Sequence, residues 1–288
     1  MKLWAPLEIF KKRMNLTKSS VDSEVLKYAL QAQNIVERLT HRKLDATINR
    51  SELRNGGFDY FQLTAFPIRS GDTTEIFIDT GRDFAASSEQ ALTDFIFENE
   101  KGLIFRRSGT FPDVDLSIKC NYRGGYYPLI TAVDANDLDS ITVADELDSY
   151  SDIFQVYVVT KDSESAGTVT ITGTDENGDA LEEILTPDPV AAAAGDFTVS
   201  LTQNLFASVT AVATDITGDE GTISVFASSI PRDLVLCAEL IASHFYLQDQ
   251  KGLQEIGQQT YSSASESDIL RDIPEEAKSI IQKRKLYQ

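Results

Sequence analysis

The spacing of apolar residues predicts helices at both ends of the chain. Between Asp22 and Leu39, apolar positions recur at intervals of three and four with polar residues between them, which is typical of an amphipathic helix that Ser20 or Asp22 can cap. The same pattern begins again at Pro231 and continues to Gln248. After a polar, serine-rich linker at residues 262–267, a last helix is predicted from Glu275 to Lys285, with acidic residues first and basic residues last.

The middle of the chain predicts strands. Short β-branched and aromatic runs separated by glycine-containing turns indicate hairpins between Thr47 and Leu129. These runs are Phe61–Leu63, Glu75–Asp79, Phe95–Phe97, Leu103–Phe105 and Leu116–Tyr122. Seven further strands are predicted at residues 141–143, 154–159, 168–172, 181–186, 197–201, 207–212 and 222–227. Their number and spacing favour an Ig-like β-sandwich.

The negative charge of the chain is concentrated in that second group of strands. Residues 131–228 hold nineteen Asp and Glu against one lysine, Lys161, for a net charge of −18, whereas the other 190 residues hold 26 acidic and 25 basic side chains. Acidity of this size opposes binding of DNA and anionic lipid through the same surface. We therefore predict an α+β protein of two domains, in which an acidic all-β sandwich at 131–228 interrupts a domain formed by residues 1–130 and 229–288 with helices and β-hairpins.

Motifs for common catalytic chemistry are missing from the sequence. There is no phosphate-binding loop, dinucleotide fingerprint, H-E-x-x-H helix, paired C-x-x-C or nucleophile elbow. His41 is expected at a helix end and His244 in packing or an interface, while Cys120 and Cys237 are expected to be buried free thiols. An enzyme using carboxylates and calcium in the acidic segment remains an alternative, although no nucleophile–base pairing supports it.

The acidic turn Asp175–Asp179 resembles a calcium loop only superficially. Compared with the EF-hand pattern starting at Asp175, the sixth position is Ala180 instead of glycine and the twelfth is Thr186 instead of glutamate. We interpret the segment as a solvated hairpin turn. A second carboxylate cluster is interpreted as a charged face and comprises Asp134, Asp137, Asp139, Asp145, Glu146 and Asp148. No metal or cofactor is predicted.

The sequence also bears on location. Its first residues, Met1 to Pro6, contain no apolar run of signal-peptide length, and no stretch of about 18 apolar residues occurs elsewhere. We therefore expect a protein that is made and kept in a cytoplasm and does not enter a membrane.

A succession of landmarks outside the acidic segment resembles the head-tail connector (adaptor) proteins of tailed bacteriophages. In chain order the landmarks are Ile35–Leu44, Leu63–Ile68, Glu75–Asp79, Phe95–Arg106, Leu116–Tyr126 and Ile230–Leu234. In that family a Tyr-x-x-Gly-Tyr type motif is followed closely by a Pro-x-Asp-Leu helix, whereas here about one hundred residues separate Tyr126 from Pro231. Thr40-His-Arg42 also departs from the family, in which a glycine commonly precedes the arginine.

The resemblance implies a structural virion protein and not an enzyme. Such proteins form a homo-oligomeric ring, of about twelve copies, beneath the portal protein. The ring extends the DNA channel without sequence-specific binding and docks a neck or tail protein. The implied location is therefore the virion neck, after synthesis in the host cytoplasm.

The resemblance also implies two sets of contact residues. The C-terminal tail, Ser279 to Gln288, is the expected portal-binding segment, through Ile280, Ile281, Lys283, Arg284, Lys285, Leu286 and Tyr287. The two long helices are expected to pack the ring through Val25, Tyr28, Leu234, Ile241 and Phe245.

Two further expectations concern the acidic sandwich. Its charge predicts that the sandwiches of a ring lie at the periphery, separated by more than a Debye length of about 8 Å. The alternative is another phage tail, baseplate or capsid-decoration protein, in which the Ig-like domain itself binds a surface or a neighbouring subunit.

Overall fold

The chain forms two compact units and mixes α-helices with several antiparallel sheets, which is compatible with the predicted α+β class. The computed structural model describes residues 2–69, 73–135, 152–161, 167–188, 196–216, 222–250 and 266–285. The first unit contains Met1–Thr40 and Pro128–Gln288, and the second contains His41–Tyr127. Within the described residues, every helix is too short or too polar to cross a membrane.

The helices belong to the first unit. They are α1 (Leu7–Met14), α2 (Asp22–Thr40), α3 (Arg232–Gln250), α4 (Glu266–Asp272) and α5 (Glu275–Arg284). The three predicted helices are confirmed as α2, α3 and α5, while α1 was not predicted. The linker predicted at 262–267 is partly wrong, because Glu266 and Ser267 begin α4; its other residues lie outside the described ranges.

Helices α2 and α3 form the centre of the helical part, since they contact each other and each contacts both α1 and α5. The facing sides of α2 and α3 are apolar and fully buried, through residues such as Val36, Ala32 and Ala238. Tyr28 and Tyr246 meet edge to face, with ring centroids 6.0 Å apart. Two segments about two hundred residues apart in sequence therefore form one hydrophobic core.

The strands divide between the two units. The second unit holds β1 (Arg50–Arg54), β2 (Tyr60–Gln62), β3 (Thr73–Ile78), β4 (Glu89–Gln90), β5 (Phe95–Glu98), β6 (Leu103–Arg106) and β7 (Ile118–Tyr122). The first unit holds β8 (Ile130–Ala135), β9 (Gln155–Lys161), β10 (Val169–Thr174), β11 (Ala180–Leu185), β12 (Phe197–Leu201), β13 (Ser208–Thr214) and β14 (Thr222–Ser228).

The second unit contains two antiparallel sheets, in the orders β1-β7-β3-β4 and β2-β6-β5. The predicted runs Phe95–Phe97 and Leu103–Phe105 form a hairpin as β5 and β6, and Gly102 between them occupies the left-handed region at φ 64°. The other strands predicted in this part of the chain are confirmed with shifted ends, but β1 and β4 were not predicted. The sheet order shows that β1, β3 and β7 pair across long connections instead of forming simple hairpins.

The glycine pair that follows β7 allows three chain segments to approach closely. A Cβ on Gly124 would lie 2.4 Å from the carbonyl oxygen of Ala65, and a Cβ on Gly125 would lie 2.6 Å from that of Leu44. Gly125 also has φ 108°, which disfavours any residue with a side chain. Next to it, the N–H of Tyr126 donates a hydrogen bond to the Leu44 carbonyl at 2.7 Å. The glycines are thus required by backbone contact.

The strands of the first unit form two antiparallel sheets, in the orders β12-β9-β14-β8 and β11-β10-β13. Six of the seven strands predicted in the acidic segment are confirmed with ends shifted by a few residues; residues 141–143 lie outside the described ranges, and β8 was not predicted. In the first sheet β8 pairs with β14, so that Ile130 lies opposite Ala227. The beginning and the end of the acidic segment are therefore cross-strand neighbours.

The compact units divide the chain differently from the predicted domains: the acidic segment lies in the same unit as the helices and packs against the first of them. Helix α1 contacts β12, and the side chain of Lys11 lies 5.1 Å from the centre of the Phe197 ring. Lys161 Nζ lies 2.6 Å from Glu8 Oε1, a carboxylate whose side chain is only 10% exposed. The one basic residue of the acidic segment thus joins that segment to α1.

Removing this ion pair should weaken the attachment. We expect Lys161→Ala to lower the free energy of unfolding by about 1–2 kcal/mol, because it leaves the nearly buried Glu8 carboxylate without its cation. Glu8→Gln in the same chain should recover much of the loss, and Lys18→Ala at an exposed position is the matched control. Urea unfolding of the wild type, the two single variants and the double variant measures the coupling energy between Lys161 and Glu8. A coupling energy indistinguishable from zero would contradict the assignment.

Candidate interaction surfaces

The two thiols are buried and chemically quiet. Cys120 and Cys237 are both free and have no solvent exposure. Burial raises the pKa of each thiol to about 12, with a further contribution from the negative charge of Glu52 for Cys120 and of Asp233 for Cys237. A thiol with so high a pKa is a poor nucleophile at neutral pH. The expectation of buried free cysteines is confirmed.

These thiols predict a loss of stability at alkaline pH. In the unfolded chain a thiol ionises near pH 8.5, whereas in the folded chain it stays protonated to about pH 12. The stabilisation is complete below pH 8.5 and is lost as the pH rises, by about 2 kcal/mol for each thiol between pH 8 and pH 10. Urea unfolding at both pH values measures the fall. The variant Cys120→Ala/Cys237→Ala should lose less stability over this range, and an equal loss would contradict the assignment.

The two histidines lie at the end of α2 and on α3. His41 follows the last residue of α2 with φ 54°, which confirms its place at a helix end. The side-chain amide of Gln248 donates to Nε2 of His244 at 2.7 Å, and the His244 ring lies 6.1 Å from that of Phe245. His244 therefore packs along its own helix.

The acidic turn between β10 and β11 is held by its own backbone. Asp175 Oδ1 accepts the backbone N–H of Asn177 at 2.8 Å and that of Asp179 at 3.0 Å, and these bonds lower the pKa of the Asp175 carboxyl. The predicted hairpin turn is confirmed. Among the residues that the structure describes, no group of three His, Cys, Asp or Glu side chains is placed to hold a metal ion.

Most residues of the second predicted carboxylate cluster lie outside the described ranges. Asp134 lies in β8, and its side chain is not described. The others, Asp137, Asp139, Asp145, Glu146 and Asp148, lie outside the described ranges.

Part of the expected portal-binding tail packs against other residues of its own chain. Ile281 is buried beneath α5, and Arg284 Nε donates to Asp233 Oδ2 in α3 at 2.8 Å. Ile280 and Lys285 are half-buried, whereas Lys283 is exposed. Leu286 and Tyr287 lie outside the described residues. Ile281 and Arg284 therefore hold α5 in place, which leaves Lys283 as the exposed member of the described set.

The residues expected to pack one copy against the next are instead core residues. All five are buried within one chain, at Val25, Tyr28, Leu234, Ile241 and Phe245. A neighbouring copy cannot contact side chains that their own chain already covers, so their assignment to ring packing is corrected to packing of the helical core. The apolar spacing correctly predicted one buried face on each of the two helices, but these faces pack against each other within one chain.

An exposed apolar row lies on the sheet β2-β6-β5 of the second unit. Phe105 is opposite Tyr60 on one side and opposite Ile96 on the other, so the three side chains share a face. Phe58 extends this row; its ring lies 6.5 Å from that of Tyr60, which lies 5.6 Å from that of Phe105. Phe58 is 65% exposed and Ile96 is 48% exposed. A continuous apolar face of this kind marks an interaction surface.

A second surface is a concave pocket of about 350 Å³ in the first unit, between α1, β12 and α3. Its charged lining comprises Lys12, Arg13, Arg232 and Glu239. The buried carboxylate of Glu239 pairs with Arg232, and Arg13 Nε lies 3.5 Å from Glu239 Oε2. Three cations thus surround one anion, which gives the pocket excess positive charge in a chain of net charge −19.

The rest of the pocket wall is aliphatic, formed by Ile9 from α1 and by Val199 and Leu201 from β12. Behind it, Tyr157 is fully buried, and burial raises the pKa of its hydroxyl to about 12. The combined lining suits a ligand that carries both a carboxylate and an apolar group.

The sequence predicted neither surface. The basic run Lys11-Lys12-Arg13 was a visible signal for the pocket, but apart from Ile9 the other lining residues come from residues 199–239. The apolar row could have been found from alternation in β2 and β6, because Phe58, Tyr60 and Phe105 occupy outward positions beside buried Phe61 and Ile104. No protein-family model matches the sequence, and no curated protein matches it significantly.

Proposed function

We propose that this protein is a head-tail connector of a tailed bacteriophage, which assembles as a ring beneath the portal, extends the DNA channel and docks a neck or tail protein. The proposal joins the sequence resemblance to three structural properties: an interrupted helical core, a docked acidic insertion and two exposed interaction surfaces.

The observation that carries the proposal is the pairing at the ends of the insertion. Ile130 lies opposite Ala227, and the flanking helices α2 and α3 pack against each other. Domain insertion is tolerated where two chain ends lie close together. A short connector in which Tyr126 is soon followed by the Pro231 helix can therefore accept residues 131–228 at this point without separating α2 from α3.

The acidic segment is proposed to be an Ig-like sandwich. Its described strands form two antiparallel sheets. Along β10 buried and half-buried residues alternate, with Val169 and Ile171 completely covered, as expected for a strand with one face against a core. Strand β9 is buried over its whole centre.

The charge distribution suits a DNA conduit. Each phosphate that a protein neutralises adds affinity through counterion release, so a channel through which DNA must move benefits from few phosphate contacts. The chain has a net charge of −19, and its second unit holds 13 acidic and 11 basic side chains. We therefore propose that DNA passes without sequence-specific binding.

Binding to the portal protein of the same virus tests the proposal. We expect the full chain to co-sediment with assembled portal and a chain ending at residue 278 to lose this binding. The truncation also removes Ile281 and Arg284, so Lys283→Glu, at an exposed position, is a second variant that leaves α5 in place. Lys18→Glu is its matched control, because it makes the same charge change at an exposed position outside the tail.

The outcomes separate this function from the alternative virion roles. A full chain that fails to bind portal under conditions in which it is folded would overturn the connector assignment. A chain that instead decorates capsids or tails through the acidic segment would identify it as a decoration or tail protein.

A further inference from the structure

We propose that the pocket between α1, β12 and α3 receives the edge strand β11 of a second copy, and that this head-to-tail contact closes the ring. The inference rests on the proposed ring function and names the surfaces that join neighbouring copies. It replaces the ring contacts predicted for the five helix residues, because those side chains are buried within their own chain.

Strand β11 is free to pair with another molecule on the described structure. It lies at the edge of the sheet β11-β10-β13 and bonds only to β10 among the described strands. Exposed edge strands are common sites of association. Ile184 is 58% exposed, an unusual position for a large aliphatic side chain on a strand this acidic.

The outward side chains of β11 combine an apolar group with a carboxylate. Glu182 and Ile184 are both exposed and, two residues apart, share one face of the strand at a separation of about 7 Å. Glu183 points the other way and accepts the backbone N–H of Asn204 at 3.0 Å, which fixes the strand in its own chain. The exposed face therefore offers one aliphatic side chain beside one negative charge.

The pocket has the complementary chemistry. Its aliphatic wall of Ile9, Val199 and Leu201 suits Ile184, and its excess positive charge suits Glu182. Lys12 is exposed on α1 and lies outside the ion pairs formed around Glu239, so it is the cation best placed to meet an incoming carboxylate.

A contact between two different surfaces of the same chain is heterologous. Contacts of this kind generate closed rings when the rotation between copies is a fraction of a full turn. The pairing also gives the acidic insertion a place in the ring, because the insertion of each copy supplies the strand that enters its neighbour. It further implies that neighbouring insertions are not separated by more than a Debye length, contrary to the expectation from charge alone.

Charge exchange between the two surfaces tests the contact. Sedimentation velocity of the full chain, alone and with portal, measures the population of rings. We expect Lys12→Glu and Glu182→Lys each to weaken self-association by about tenfold or more, because each places like charges together. The chain with both substitutions should recover rings, since every contact then pairs a reversed pocket with a reversed strand. Glu176→Lys, at an exposed position in the β10–β11 turn, is the matched control and should assemble normally.

Mixing experiments give a sharper result. When the Lys12→Glu chain and the Glu182→Lys chain are mixed, both contacts between unlike chains pair opposite charges, since the native strand meets the native pocket and the reversed strand meets the reversed pocket. We therefore expect rings in which the two chains alternate, whereas neither chain forms rings alone. Ile184→Asp should also abolish rings while leaving the melting temperature unchanged, because the side chain is exposed in the isolated chain.

The results distinguish this inference from the proposed function. Wild-type rings that persist unchanged in all three single variants would overturn the contact and leave the connector function standing, as would failure of the double variant to recover rings. A wild-type chain that forms no ring, alone or with portal, would overturn both.

Discussion

Replacing Ile241 by alanine is expected to lower the free energy of unfolding by about 2–5 kcal/mol, because it opens a cavity in the core between α2 and α3. Ile241 is fully buried within one chain. The loss should be the same at every protein concentration, since no second copy contributes to the site. Urea unfolding at several concentrations, including dilutions at which the chain is monomeric, measures both properties.

Leu247→Ala is the matched control for this substitution. Leu247 lies on the same helix but is 50% exposed, so its truncation should cost less than about 0.5 kcal/mol. If the Ile241→Ala penalty vanished at dilution, the side chain would be packing between copies, and the assignment of α2 and α3 to a core within one chain would be wrong.

Substitution of Gly125 by alanine should destabilise the second unit by about 2–4 kcal/mol. The added Cβ would lie 2.6 Å from the Leu44 carbonyl oxygen, and the backbone at φ 108° disfavours a side chain. Relief of this overlap must move the segment that accepts the Tyr126 N–H. Hydrogen exchange of the β7 and Leu44 amides locates the loss in this unit, and urea unfolding measures its size.

Gly109→Ala separates the two causes of that loss. Gly109 also has positive φ, at 76°, but a Cβ there would meet no atom within 4 Å. It should therefore cost only about 1 kcal/mol, the conformational part of the penalty. Equal losses at Gly109 and Gly125 would show that backbone conformation, and not contact with Leu44, sets the requirement for glycine in this motif.

Local sequence patterns predicted most of the elements. The amphipathic spacing in α2 and α3 and the β-branched runs of β9 to β14 identified helices and strands because those patterns repeat within one element. Helix α1 was missed because it has only eight residues, and three of them, Lys11, Lys12 and Arg13, are basic. The same short helix packs against the acidic segment, through its contact with β12 and the Glu8–Lys161 pair.

The interaction surfaces could not be predicted in the same way. An apolar stripe on a helix shows that one face is covered but not which partner covers it. Because of this ambiguity, Ile241 and Phe245 were predicted to pack between copies of the ring. The pocket depends on residues such as Ile9, Leu201 and Arg232, which come together only when the insertion docks on the helices. The exposure of Ile184 follows from the edge position of β11, a property of sheet order and not of the strand itself.

Electron microscopy of the purified full chain mixed with the portal protein of the same virus tests the central claim most directly. The account predicts rings coaxial with the portal, an open central channel, and neighbouring copies joined where the acidic insertion of one meets the first helix of the next. Monomers scattered beside bare portals would contradict it.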